Sequence, residues 1–192
     1  MMPERSKRDR IIEAAQVIFA RKGYYQAKIE EIAELAEVGK GTVYEYFVSK
    51  QELYKEMFKV ILSRYTAHVT TEDAAKMPAE LRIRYLLEMH LRYMLENRQH
   101  MPTNFGDLGG MDEEILSWMY DMRKESLSRL TAMFEEGIAR GELKDIDPEM
   151  AANLLLGAMR GITLPLLIEG TYDDSSRVAA EVTDILFHGM AR

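Results

Sequence analysis

The chain has 192 residues, 47% hydrophobic and 30% charged, enough to bury about 70% of its unfolded surface in one large domain or in a small one plus a larger one. It has no cysteine, which excludes a disulfide framework, a thiolate zinc site and a cysteine nucleophile, and its longest run without a charged side chain, Met150 to Met159, is short of the ~20 apolar residues of a membrane span. The net charge of -7 is unevenly placed: residues 1–28 carry seven basic and three acidic side chains, residues 56–192 carry 15 and 23, so only the N-terminal end suits a polyanion. No apolar stretch resembling a signal peptide follows the start, and a cytoplasmic location is expected.

Apolar residues recur with helical spacing nearly throughout, and no segment alternates as a half-buried strand does, so the expected class is all-α, with about nine helices. The first helix opens at Ser6, whose hydroxyl can cap Asp9, puts Ile11, Ile12, Ala15, Ile18 and Phe19 on one stripe, and stops at Gly23. Short second and third helices are predicted over 29–37 and 40–46, parted by Gly39, and Ser49 caps a fourth reaching Val69. A polar linker to Pro78 precedes a helix over 79–97, and the breaker-rich stretch 101–110 is long enough to be functional. Asp112 can cap a long helix or helix pair reaching Arg140. Asp147 with Pro148 at the first helical position starts an apolar helix to Glu169, and Asp173 or Asp174 opens the last one, ending near Met190.

The pair of short helices is the strongest motif. Two such helices joined by a tight turn, with small Ala33 where they meet, can project the second into a DNA major groove. The segment Lys40-Gly41-Thr42-Val43-Tyr44-Glu45-Tyr46-Phe47 turns Val43 and Phe47 inward and exposes Lys40, Thr42, Tyr44 and Tyr46, while its N-terminal N–H groups can face a phosphate and Lys50 can clamp the same backbone. The segment 32–53, with Ile11-Ile12, Ala14-Ala15, Phe19 and Gly23-Tyr24, resembles the N-terminal DNA-binding domain of TetR/AcrR-type transcriptional regulators over about residues 6–55. Further on, Gly141-Glu142-Leu143 and the run 147–158 look like a common lead-in to the dimerisation helices of that family. Three positions depart from its pattern: Glu37 where Gly is usual, Gly39 where a capping Ser is usual, and Lys28 where a Thr commonly caps the second helix, which leaves Lys28 for a phosphate.

The resemblance implies a DNA-binding domain, residues 1–50, and a ligand-binding and dimerisation domain, residues 51–192. It makes Lys28, Lys40, Gly41, Thr42, Tyr44, Tyr46 and Lys50 the DNA-binding candidates, on half-sites about 34 Å apart or a multiple. It also implies a small-molecule pocket in the C-terminal bundle. Helical facing places Tyr65, His68, Tyr85, Met89, Tyr93, Trp118 and Met122 there, a largely apolar set suited to an apolar or acyl-type effector, with Arg160 available for a carboxylate if it points inward. Gly157 and Gly161, four apart, favour a dimer seam with Leu155, Val182 and Leu186. No metal-ligand spacing of His68, His90, His100 and His188 with carboxylates, no phosphate-cradling loop and no nucleophile elbow occurs, so no cofactor, metal or catalytic residue is expected.

Together these features predict a ligand-responsive, homodimeric transcriptional repressor that is not an enzyme and uses its fourth helix to carry the effector signal to the reading helices. It would bind a palindromic DNA operator and leave it when a small, largely apolar effector binds. The competing reading is a helical small-molecule-binding protein or enzyme whose N-terminal module serves partner contact.

Overall fold

The structure, a computed structural model, describes residues 6–98, 113–171 and 174–189. Among them are nine α-helices and no strand: α1 (Lys7–Gln26), α2 (Ile29–Leu35), α3 (Lys40–Tyr46), α4 (Lys50–Val69), α5 (Glu72–Ala75), α6 (Ala79–Glu96), α7 (Glu113–Ala139), α8 (Pro148–Ile168) and α9 (Ser175–His188). Several starts are fixed by side chains that accept otherwise unpaired N–H groups. Ser6 accepts from Asp9, Ser49 from Glu52, Asp147 from Glu149 and Met150, and Asp174 from Arg177. Asp112 and Asp173 lie outside the described residues, as do the stretch 101–110, His100 and Met190.

Local departures from expectation have local causes. The first helix does not stop at Gly23; its backbone breaks there (φ 72°, ψ 173°), a conformation open to glycine, and one more turn runs to Gln26. The second helix ends at Leu35, because the chain turns through Glu37 with φ 55°. The polar linker contains the single turn α5, capped by the Thr71 hydroxyl on the Ala74 N–H at 3.1 Å.

Packing divides the chain into two units, and the division falls within α4. The first unit holds α1, α2, α3 and α4 as far as Arg64, together with Asn97 and Arg98. Its core is made by Ile11, Ile12, Phe19, Ile32, Phe47, Leu53 and Met57, all at most 2% exposed. The second unit begins at Tyr65 and contains α5 to α9. There α6 packs along α9 and α8, and α7 along α8, around Ile83, Leu87, Met133, Phe134, Leu155 and Met159.

Contrary to the expectation from uninterrupted apolar runs, α8 is by length and composition apolar enough to cross a membrane. The run ends at Arg160, but two charges, Glu149 in the first turn and Arg160, do not lower the apolar content of a 21-residue helix enough to disqualify it. The apolar residues of α8 divide between two faces. Ala152, Leu155, Met159, Thr163 and Leu166 are buried, whereas Met150, Leu154, Leu164 and Ile168 are exposed.

Candidate DNA interface and effector site

Short helices are marginal alone, so α2 and α3 owe their order to burial. Ile32 and Ala33 of α2 and Val43 of α3 are buried, with Phe47 closing α3. The turn between them is held by the Val38 N–H on the Ala33 carbonyl at 3.0 Å and the Glu37 N–H on the Glu34 carbonyl at 3.1 Å. Glu37 accepts the left-handed conformation without being glycine, at a cost of about 1–2 kcal/mol. Gly39 precedes α3 with no side-chain cap, and Lys28 supplies none for α2. Instead the Glu31 carboxylate reaches back to the Lys28 N–H at 3.2 Å and is itself held by Lys22 at 2.5 Å, which lowers its pKa.

Tyr44 and Tyr46 stand exposed on α3, as do Lys40 and Gly41, while Thr42 is half-buried and not exposed as expected. Lys40 is committed within the chain: its ammonium donates to Glu30 at 2.6 Å, which raises its pKa, and lies 5.9 Å from the centre of the Tyr44 ring. Lys50 is turned inward, donating to the Tyr25 carbonyl at 3.1 Å and lying over the Tyr24 ring at 4.7 Å; burial lowers its pKa. As it stands Lys50 ties α4 to the end of α1. Lys28 is exposed, and its ammonium has no ion pair among the described residues.

In the second unit a buried polar chain joins three helices. The Tyr65 hydroxyl lies 3.0 Å from His90 Nδ1, His90 Nε2 lies 2.7 Å from the Thr163 hydroxyl, and that hydroxyl donates to the Met159 carbonyl at 2.7 Å. The last bond fixes the others. Thr163 has one hydrogen and gives it to Met159, so its oxygen accepts from His90 Nε2–H, which leaves Nδ1 to accept from Tyr65. Burial keeps the ring neutral, pushing the His90 pKa down to about 4, and keeps Tyr65 protonated by raising its own.

Around this chain the Tyr93 ring contacts Tyr65 (5.4 Å between centroids) and His68 (5.5 Å), and His68 Nε2 is buried with no hydrogen-bond partner among the described residues. The structure thus brings Tyr65, His68 and Tyr93 together. Met89 is also buried; Tyr85, Trp118 and Met122 are half-buried. Arg160 is exposed on α8 and does not point inward, correcting its assignment as an internal anchor. Sequence reading missed His90 and Thr163, 73 residues apart; the only signal was that His90 falls beside Met89 and Tyr93 on α6.

One seam candidate needs correction. Leu155 is 0% exposed within the chain's own core, whereas Leu154, at 59%, faces out; Val182 is partly buried against the same cluster. Gly157 and Gly161 are exposed, and a Cβ at either would meet no atom within 4 Å, so no close packing among the described residues explains them. Leu186 is exposed on α9.

A pair of short helices joined by a tight turn, with an outward polar and aromatic face on the second, is a helix-turn-helix module, here followed by a helical bundle. Residues 11–57 match the family described as bacterial regulatory proteins, tetR family, and residues 76–190 match the tetracyclin repressor-like C-terminal domain. The chain belongs to the TetR family and is a DNA-binding transcriptional regulator. It is 23% identical to the fatty acid metabolism regulator protein of Bacillus subtilis (strain 168), the alignment covering 99% of this chain and 98% of that one. Its fold is similar to that of the Bacillus subtilis regulator FadR crystallised with stearoyl-CoA (23% identity, TM-score 0.85, 95% of this chain and 99% of the other). The same holds for the fatty acid degradation regulator FadR of Bacillus halodurans (22% identity, TM-score 0.86, 98% of each chain).

Proposed function

We propose that the chain is a cytoplasmic, non-enzymatic repressor that binds a palindromic operator as a homodimer and is released by a long-chain acyl thioester. The observation that carries the reading is α3 itself, a helix whose outward residues are polar or aromatic while Val43 and Phe47 anchor it. Tyr44, Tyr46 and Thr42 serve base edges and sugar-phosphate, Gly41 permits close approach, and Lys28 and Lys40 serve phosphates. Lys40 exchanges Glu30 for phosphate on binding, and Lys50 supports the module from within. The boundary between DNA-binding and effector parts falls within α4, after Arg64, and not at residue 50.

The dimer seam is the outward stripe of α8. Met150, Leu154, Gly157, Gly161, Leu164 and Ile168 are spaced 4, 3, 4, 3 and 4 residues apart and are all exposed, the period that lets helices wind about a partner. Ile185 and Leu186 of α9 are further exposed apolar residues available to the partner.

The effector reading draws on the acyl-CoA bound to the Bacillus subtilis relative and on the apolar lining here. The acyl chain lies among Met89, Tyr93, Tyr85, Trp118 and Met122, and the thioester carbonyl accepts from His68. Tyr65 and His68 belong to the last turns of α4, which runs unbroken into the first unit, so displacing the Tyr65 contact to His90 moves the helix that follows α3. The ligand shifts the equilibrium only by its preference for one conformer.

Two measurements on the full chain test this. With a selected duplex operator, log K falls linearly with log salt, and Lys28→Ala and Lys40→Ala each reduce the slope by about two per dimer; an unchanged slope in both removes the phosphate role. Titration with stearoyl-CoA changes the emission of Trp118, the only tryptophan, with the same midpoint as operator release, and coenzyme A alone does not. His68→Leu weakens the acyl-CoA about tenfold through its lost hydrogen bond. Release with unaltered acyl-CoA affinity in both His68→Leu and Trp118→Phe places the effector elsewhere.

A further inference from the structure

We infer that Glu45 reads a cytosine in each half-site, its carboxylate accepting a hydrogen bond from the base's exocyclic amino group in the major groove. The inference rests on the reading of α3 as the DNA-facing helix and names the base preference that this chain's own residues give it. At about 100° per residue, Val43 and Phe47 mark the inward direction, and Glu45 projects about 180° from it, with Tyr44 and Tyr46 to either side. Gly41, one turn earlier on the same outward side, has no side chain, and a Cβ there would meet no atom within 4 Å. The centre of the face offered to DNA is therefore a lone carboxylate with open space before it.

The Glu45 carboxylate has no hydrogen bond or ion pair among the described residues, although several carboxylates nearby are engaged. Glu30 holds Lys40, Glu31 holds Lys22, Glu52 accepts from the Val48 N–H and Glu56 holds Arg8. A carboxylate facing a polyanion is repelled by every phosphate, and only a donor on a base edge offsets that repulsion. In the major groove the donors are the amino groups of cytosine and adenine. A carboxylate only accepts, so beside the adenine amino group its second oxygen meets N7 of the same base, whereas on cytosine the amino group is flanked by a C5–H and the base carries no groove acceptor of its own. Cytosine is thus selected, and sequences lacking it at that position keep the repulsion unrelieved.

Operators selected from randomised duplexes by the wild-type full chain should carry cytosine at one fixed position of each half-site, and thymine there should weaken binding about tenfold to a hundredfold. Glu45→Gln should move the preference to adenine, whose N6 and N7 a carboxamide can pair, and Glu45→Ala should equalise the four bases at that position while tightening binding to other sequences. Because Glu45 is exposed and unpartnered, both variants should melt with the wild type. If both variants instead tighten binding by one common factor on every sequence, with the selected profile unchanged, the carboxylate only repels phosphate and the inference is overturned while α3 remains the reading helix. If neither wild type nor variants select any sequence, the reading of α3 falls as well.

Discussion

Leucine at Gly137 is expected to lower the melting temperature by about 10 °C, whereas leucine at Gly157 should leave the fold intact and split the proposed dimer. Both glycines lie within long helices, so propensity favours leucine at each by up to about 1 kcal/mol. Their surroundings decide the outcome. A Cβ at Gly137 would stand 2.8 Å from Leu143 Cδ1 and 3.0 Å from the Cβ of Ala79, where α7 passes the start of α6. The Leu143 methyl can rotate aside for one carbon, but the Ala79 carbon belongs to a helix start fixed by its N–H bond to Glu142 at 2.6 Å. A full leucine therefore overpacks the site by about 3 kcal/mol, and a protein of this size loses roughly 3 °C per kcal/mol. At Gly157 a Cβ would meet no atom within 4 Å among the described residues, and the position is exposed. If the exposed stripe of α8 is the seam, the new side chain meets only the partner, and the dimer dissociation constant should rise about a hundredfold by sedimentation with an unchanged helical spectrum. An undisturbed dimer in Gly157→Leu would place the seam elsewhere, and a normal melting temperature in Gly137→Leu would refute the packing described for α7.

Acid should destabilise the fold well before the carboxylates titrate, and His90 is the reason. In the unfolded chain a histidine takes up a proton near pH 6.5; in the folded one burial holds the His90 pKa at about 4. Between those values the unfolded state binds the extra proton, so stability is fully present above about pH 6.5 and falls as pH drops toward 4, by up to about 3 kcal/mol in total. The carboxylates of Glu30, Glu31, Glu56 and Glu136, whose pKa values are lowered by lysine and arginine partners, act below about 4.5. Urea unfolding at intervals from pH 7.5 to 4.5 isolates the histidine effect. His90→Gln should be less stable at pH 7.5, because Tyr65 and Thr163 lose their partner, yet depend less on pH than the wild type. Equal slopes in the two proteins would show that His90 is not held neutral.

The N-terminal module was legible because its constraints are local. A seven-residue helix with fixed neighbours on both sides leaves little freedom, and α3 falls on the predicted residues 40–46. Caps were equally legible, since an acceptor such as Ser6 or Asp147 acts on N–H groups two or three residues away. What the sequence hid depends on contacts distant along the chain. No periodicity announces that Thr163 faces His90, and α8 carries leucine and methionine on its buried and its exposed sides alike, so its pattern does not say which of them turns inward. Leu155 and Leu154 are chemically identical neighbours; only the core supplied by α6 and α7 decides that the first is buried and the second is not. Arg160 was misplaced for the same reason.

The two faces of α8 would bind together the two proposed equilibria, effector binding and dimerisation. Thr163 anchors His90 on one side, and Gly161 and Leu164, within two residues of it, lie on the exposed side. A molecule that pulls Tyr65 from His90 loosens Thr163 as well, and whatever moves that turn moves Gly161 and Leu164 with it. To the extent that such a molecule changes the tendency of two copies to associate, thermodynamic reciprocity requires association to change its affinity by the same factor. The midpoint of an effector titration would then drift with protein dilution, and a cell that makes more of this regulator would reset the ligand level at which its genes respond.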